Sequence, residues 1–191
     1  MQEIIFATSS KGKVESLANR LPKDKFVITP IKIDLVEVQG DTAEEISKLK
    51  AKFAFEKIQK PLIVQDSALH IPSLNGFPGP YIKYIQDTIG PEGLLKLVEG
   101  HDRTCYFETA LTYIDSNTIK TFVKQSKHGR LADKIDITPS EKAWGITWNI
   151  YIPHGQTKTL SAMTKEEINA KESKQDDTSE FAQFAKWILQ Q

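Results

Sequence analysis

Residues 61–84 read PLIVQDSALHIPSLNGFPGPYIKY, and the fold turns on how this stretch is read. The run LIV at 62–64 suits a short, fully buried strand. It ends at Gln65-Asp66-Ser67, which puts a carboxylate where the strand gives way. GFPGP at 76–80 is a turn cluster. Tyr81 to Ile89 and Glu92 to Val98 read as two short helices separated by Gly90-Pro91. Such a carboxylate, followed by a turn and by Lys83, is either a strand running into a surface turn or a metal–carboxylate site facing the rigid wall of a cleft.

Upstream, the apolar run EIIFAT (3–8) predicts a buried strand, SSKGK (9–13) a polar loop, and VESLANRL (14–21) a helix stopped by Pro22. Strand, glycine-bearing loop and helix is a common way to present backbone N–H groups to an anion. It is also an ordinary connection, and the Walker pattern is absent. FVITPIKI (26–33) is a second extended segment, interrupted by Pro30. Residues 43–58 predict a helix with Ile46, Leu49, Phe53 and Ile58 on its apolar face. Downstream, 103–113 and 118–124 flank Asp115-Ser116-Asn117 as a hairpin. Gly129 to Ile137 adds a further strand, and 144–153 is extended and aromatic-rich. A last helix spans 178–190, with Asp177 to Glu180 as a capping box and Phe181, Phe184, Ala185 and Ile188 on one face.

Helix-linked strands in front and hairpins behind predict an α/β fold with a mixed sheet rather than a uniformly parallel one. The 191 residues are 39% hydrophobic and 26% charged, with zero net charge. The order of elements suits a cleft between a front lobe and a β-hairpin lobe, and that composition fits one globular domain over 1–191. It offers no global basic field for nucleic acid. One cysteine, Cys105, excludes an intramolecular disulfide and a multi-cysteine zinc site. No apolar run approaches the ~20 residues of a membrane span, and the N-terminus has no secretory pattern. A cytoplasmic protein without a membrane partner is expected.

The residues that bear chemistry are few. Glu37 and Asp66 both stand where extended chain meets loop, and two such carboxylates can hold Mg²⁺ with waters and phosphate oxygens. Lys13, Lys50 and Lys83 are the cations available to phosphate. Each alone reads equally well as a solvated surface side chain.

Taken together, ATSSKGKVESL (7–17), KIDLVEVQG (32–40), EEISKLKA (44–51), PLIVQDSAL (61–69) and NGFPGPYIK (75–83) resemble the successive motifs of the inosine triphosphate pyrophosphatase family. The resemblance implies a two-lobed fold around a long mixed β-sheet, usually a homodimer. It also implies cleavage of non-standard purine nucleoside triphosphates such as ITP, dITP and XTP to monophosphate and pyrophosphate, with Mg²⁺ (or Mn²⁺). By position, the family's phosphate loop falls on Thr8, Ser9, Ser10 and Lys13. Its metal-binding glutamate falls on Glu37, its second-helix lysine on Lys50, and the metal-binding, water-activating aspartate on Asp66. Ser67 stands beside phosphate or sugar, and Lys83 follows the Gly-Pro turn. Trp144 and Gly145 fall where the family surrounds the base.

The back half departs from the pattern. Ile146 and Thr147 replace an aromatic residue and an aspartate. In MTKEEINAKESK (163–174) the family's lysine falls on Ile168 and its His-Arg pair on Ser173-Lys174, with Lys171 nearby. Lys does not reproduce the bidentate fork of Arg. A pyrophosphatase of altered base preference, and a catalytically weak nucleotide-binding paralogue, therefore stand beside the main expectation.

Overall fold

The computed structural model describes residues 1–34, 38–138, 146–164, 166–168 and 178–191. The strands are β1 (Gln2–Ala7), β2 (Phe26–Ile31), β3 (Leu62–His70), β4 (Pro78–Gly79), β5 (Thr104–Ile114), β6 (Ile119–Gln125), β7 (Gly129–Leu131) and β8 (Tyr151–Ile152). The helices used below are α1 (Lys11–Ala18), α2 (Ala43–Ile58), α3 (Ile82–Thr88), α4 (Gly90–Leu97) and α5 (Glu180–Ile188). The sheet runs β2-β1-β3-β5-β7-β8, with β4 on β3 and β6 on β5. β1 pairs in parallel with β2 and β3, whereas β3–β4, β5–β7 and β7–β8 are antiparallel. The mixed α/β architecture is the expected one.

The chain divides into two compact units. The first contains Met1–Ser67, Thr109–Lys124 and Asp177–Gln191, the second Ala68–Glu108 and Gln125–Asp176. In the first unit β1 and β3 bury consecutive residues at 4–6 and 62–64, so those strands read as continuous apolar runs. Their two-residue period still sorts the side chains. Ile4, Phe6 and Ile63 join Leu17 of α1 and Phe181, Phe184 and Ile188 of α5 in one cluster. Ile5, Leu62 and Val64 join Ala51 and Ala54 of α2 in another. Phe184 meets the rings of Tyr113, Phe122 and Trp187. The second unit has its own core of Leu69, Ile71, Ile82, Leu94, Cys105, Leu131 and Ile150.

Six expectations need correction. β3 does not stop at Asp66 but continues to His70, because its second half pairs with Pro78-Gly79 inside the predicted turn. Pro30 does not interrupt β2, which lies at the end of the strand order, where a missing N–H costs no ladder bond. Gly90-Pro91 does not separate the two helices but forms the first turn of α4, where proline's missing N–H is harmless. The strand expected over 129–137 is only three residues long, and Ile146–Asn149 form a 3-10 turn before the short β8. α2 is a helix as expected, but Leu49 and Phe53 remain 38% and 37% exposed. Its buried side carries Ile46, Ser47, Ala51 and Ala54 instead. Small residues there let the helix lie close on the sheet, where Ser47 and Thr112 share a buried hydroxyl bond of 2.8 Å.

Candidate functional site

The first unit gathers Thr8–Lys13, Lys50, Asp66 and Ser67. β1 ends at Ala7, and the loop after it is tied to β2 by the Thr8 N–H donating to the Ile31 carbonyl at 3.0 Å. The Ser10 N–H donates to Thr8 Oγ1 at 3.1 Å. Ser10 is the N-cap of α1, its Oγ accepting the Lys13 N–H at 3.4 Å. Ser9 completes this loop, and α1 carries no acidic residue in its first turn. The loop therefore combines hydroxyls and helix N–H groups beside a lysine, a setting suited to an anion.

Lys50 lies on the sheet-facing side of α2. Its ammonium is 3.0 Å from Asp66 Oδ2, with the two side chains 16% and 20% exposed. The Ser67 N–H donates to Asp66 Oδ1 at 2.9 Å, which fixes the carboxylate. Strand alternation gives Asp66 the face of Val64 and Gln65 the face of Ile63.

On that second face is a group the sequence reading placed elsewhere. Glu180 was expected to close a capping box with Asp177. Asp177 lies outside the described residues. The N-cap is Ser179, whose Oγ accepts the Ala182 N–H at 3.1 Å. Glu180 turns inward and is 6% exposed. One of its oxygens accepts from Gln65 Nε2, and the other accepts from Thr109 Oγ1 at 3.0 Å. Gln65 Oε1 is buried without a partner. The missed signal is helical spacing: 180, 184 and 188 share one face of α5, so Glu180 points with Phe184 and Ile188 into the protein.

Lys13 links the two faces. Its pKa is lowered, first by burial and further by the Lys50 charge, while the carboxylates of Asp66 and Glu180 act to raise it. Lys13 is mostly but not completely covered, so protein packed around the ammonium is the source of the desolvation.

Lys83, Thr147 and Ile168 belong to the second unit. Lys83 is exposed in the first turn of α3 and Tyr81 caps that helix, both in the second unit. Thr147 and Ile168 are buried there. Glu37, Trp144, Gly145, Lys171, Ser173 and Lys174 lie outside the described residues. Among the described residues no three His, Cys, Asp or Glu side chains cluster to hold a metal, and no helix is long and apolar enough to cross a membrane.

A parallel β1–β3 core with a hydroxyl–lysine loop after β1 and a carboxylate midway along β3 paired with a lysine of α2 defines a protein of the α/β class. A family model, the Ham1 family, matches residues 4–184, and the chain belongs to that family. A dITP/XTP pyrophosphatase from Saccharolobus solfataricus is 35% identical over 178 residues, covering 93% of this chain and 90% of the relative. A dITP/XTP pyrophosphatase from Methanopyrus kandleri is 34% identical, covering 97% and 95%. Inosine triphosphate pyrophosphatase 2 from Trypanosoma cruzi is 33% identical, covering 87% and 84%. The solved HAM1 protein of Coxiella burnetii aligns over 100% of both chains with a TM-score of 0.78 at 17% identity. The Ham1 protein of Staphylococcus aureus covers 93% of this chain and all of its own, with a TM-score of 0.70 at 24% identity. These two structures bear on the fold alone.

Proposed function

We propose that this chain hydrolyses non-standard purine nucleoside triphosphates, dITP and XTP among them, to nucleoside monophosphate and pyrophosphate. The observation that carries the reading is the Lys50–Asp66 pair on β3, with Lys13 and the Thr8–Ser10 loop gathered in the same unit. The names of the relatives over nearly the whole chain support the substrate class.

In this reading water attacks the α-phosphorus and the bond to the β-bridging oxygen breaks, its electron pair leaving with pyrophosphate. Lys13, Lys50 and the loop N–H groups hold the phosphate oxygens and offset the charge that develops on them. Asp66 orients the water. Lys83 adds a phosphate contact, Ser67 meets phosphate or sugar, and Trp144 and Gly145 flank the base. The donor chemistry fits Mg²⁺, with Mn²⁺ as the alternative: Asp66 is a fixed carboxylate, and Mg²⁺ is commonly held by one or two carboxylates with waters and substrate oxygens completing its shell. Asp66 and Glu37 would hold it, and when bound it supplies Lewis-acid stabilisation of phosphoryl charge. A homodimer belongs to the same proposal and is tested by sedimentation equilibrium.

Buried Ile168, at the position of the family's lysine, favours a second reading in which base preference has shifted or turnover is weak. One experiment separates them: pyrophosphate release from ITP, XTP, dITP, GTP, dUTP and dTTP with Mg²⁺. Release from ITP, dITP or XTP supports the proposal. Release from another base alone supports the shifted preference. Binding without release favours the nucleotide-binding role, and no binding at all refutes every version.

A further inference from the structure

Glu180 has no part in the reaction above, yet among the described residues it is the charged residue whose surface is buried. Burying a carboxylate is costly unless it is paired or well hydrogen-bonded. Here both of its donors are neutral, the Gln65 amide and the Thr109 hydroxyl, so the bonds fix its position without cancelling its charge. Its place in the first turn of α5 adds the favourable end of the helix dipole. The cation placed to feel the remaining charge is Lys13: it stands one turn before Leu17 on α1 as Glu180 stands one turn before Phe184 on α5, Leu17 and Phe184 pack in one cluster, and the carboxylates of Asp66 and then Glu180 act to keep the ammonium charged. A partly enclosed lysine near a second lysine needs an outside reason to stay charged and in place.

We infer that Glu180 is a positioning residue for triphosphate binding: locked by Gln65 and Thr109, it supplies the fixed negative charge against which the Lys13 ammonium is held ready for phosphate. This rests on the assignment of Lys13 to phosphate. Glu180 itself repels phosphate, so it is useful only through Lys13, and that gives the inference a distinctive signature.

Glu180→Gln removes the charge and can keep the packing. Gln65 Oε1 is the end of that amide with no partner, so a flipped Gln65 accepts from the new amide and the contact survives. The readout is the dissociation constant of inorganic pyrophosphate, by calorimetry, in a cycle with Lys13→Met. In the native background Glu180→Gln should weaken binding about tenfold, the size of a close charge coupling. In the Lys13→Met background the same change should leave binding unaltered or tighten it, since only repulsion between carboxylate and phosphate is left. Thr109→Val keeps the charge and loosens the carboxylate. It should show a smaller loss with the same dependence on Lys13, and it serves should Glu180→Gln fail to fold. Tighter binding in the native background, or an equal loss in both, overturns the inference. Lys13→Met without effect on pyrophosphate binding overturns the phosphate role of Lys13 and the inference with it, and is distinguishable from the other outcomes.

Discussion

Replacing Asp66 by Asn separates catalysis from stability. The change keeps size and shape, and an Asn Oδ1 can still accept the Ser67 N–H that Asp66 accepts at 2.9 Å. What is lost is the charge facing the Lys50 ammonium at 3.0 Å. The gross attraction at that distance is about 5–6 kcal/mol in a medium of effective dielectric near 20, and desolvation of both groups offsets much of it. With side chains 16% and 20% exposed, the pair lies between surface bridges worth about 0–1 kcal/mol and buried ones whose disruption costs about 3–5. A loss of about 1–3 kcal/mol is expected, lowering the thermal midpoint by about 2–12 °C at the slope usual for this size. From a typical stability of at least about 5 kcal/mol, some 2 kcal/mol survive, so the chain stays over ~95% folded at 25 °C. Unfolding therefore cannot hide the catalytic result. Loss of the water-orienting carboxylate should lower pyrophosphate release about 10²–10⁴-fold, or about 3–5 kcal/mol of barrier. Turnover within about threefold of the native enzyme, in a variant shown to be folded, would refute the role given to Asp66.

Phe184→Ala should cost about 3–5 kcal/mol, because three aromatic neighbours lose a shared partner; urea denaturation measures it, and a loss below about 1 kcal/mol contradicts the packing. Gly129→Ala would bring a Cβ to 2.4 Å from the Ile152 carbonyl oxygen and 2.8 Å from the Tyr151 ring; a destabilisation of about 1–3 kcal/mol should appear in the denaturant midpoint. Burial, aided by the Asp102 charge, pushes the Cys105 thiol up to about 12. Its stabilising contribution is therefore whole below the ordinary thiol pKa and is lost as pH climbs from about 9 toward 12, since the unfolded chain sheds its proton first. In the native protein at about pH 8 a thiol reagent should leave Cys105 unmodified, and in urea it should react fully.

β1 and the start of β3 were legible because both bury consecutive residues, 4–6 and 62–64, and so stand out as apolar runs. The hairpin was legible from alternation around Asp115, whose Oδ1 does accept the Asn117 and Thr118 N–H groups. The course of β3 beyond Asp66 was not legible, because its partner is two residues within a Gly-Pro cluster, and pairing across that distance leaves no local pattern. Leu49 and Phe53 misled for a different reason. Their spacing is that of a core face, but the close approach of α2 to the sheet is made by alanine and serine, which hydropathy underrates. In the candidate site, Lys50 and Asp66 were found from the sequence, and the structure pairs them at 3.0 Å. Gln65 and Thr109 were not, since a neutral side chain draws notice only when a buried charge needs it. Glu180 was seen and given the wrong role. The capping-box rule looks three residues back along the helix, whereas this carboxylate reaches across the sheet.

The three separate chain segments of the first unit have a consequence for how the protein is made. β1 to β3 are synthesised first, the strands from Thr109 to Lys124 follow, and α5 leaves the ribosome after every other described element. Until α5 arrives, Ile4, Phe6, Leu17 and Leu111 lack the Phe181–Phe184–Ile188 surface that covers them, and Lys13 lacks the neighbouring carboxylate of Glu180. A nascent chain halted before α5 thus carries its phosphate loop on an open apolar layer. Emergence of α5 closes that layer and delivers Glu180 in one event, so vectorial synthesis makes no intermediate in which these residues are set ahead of the core that supports them.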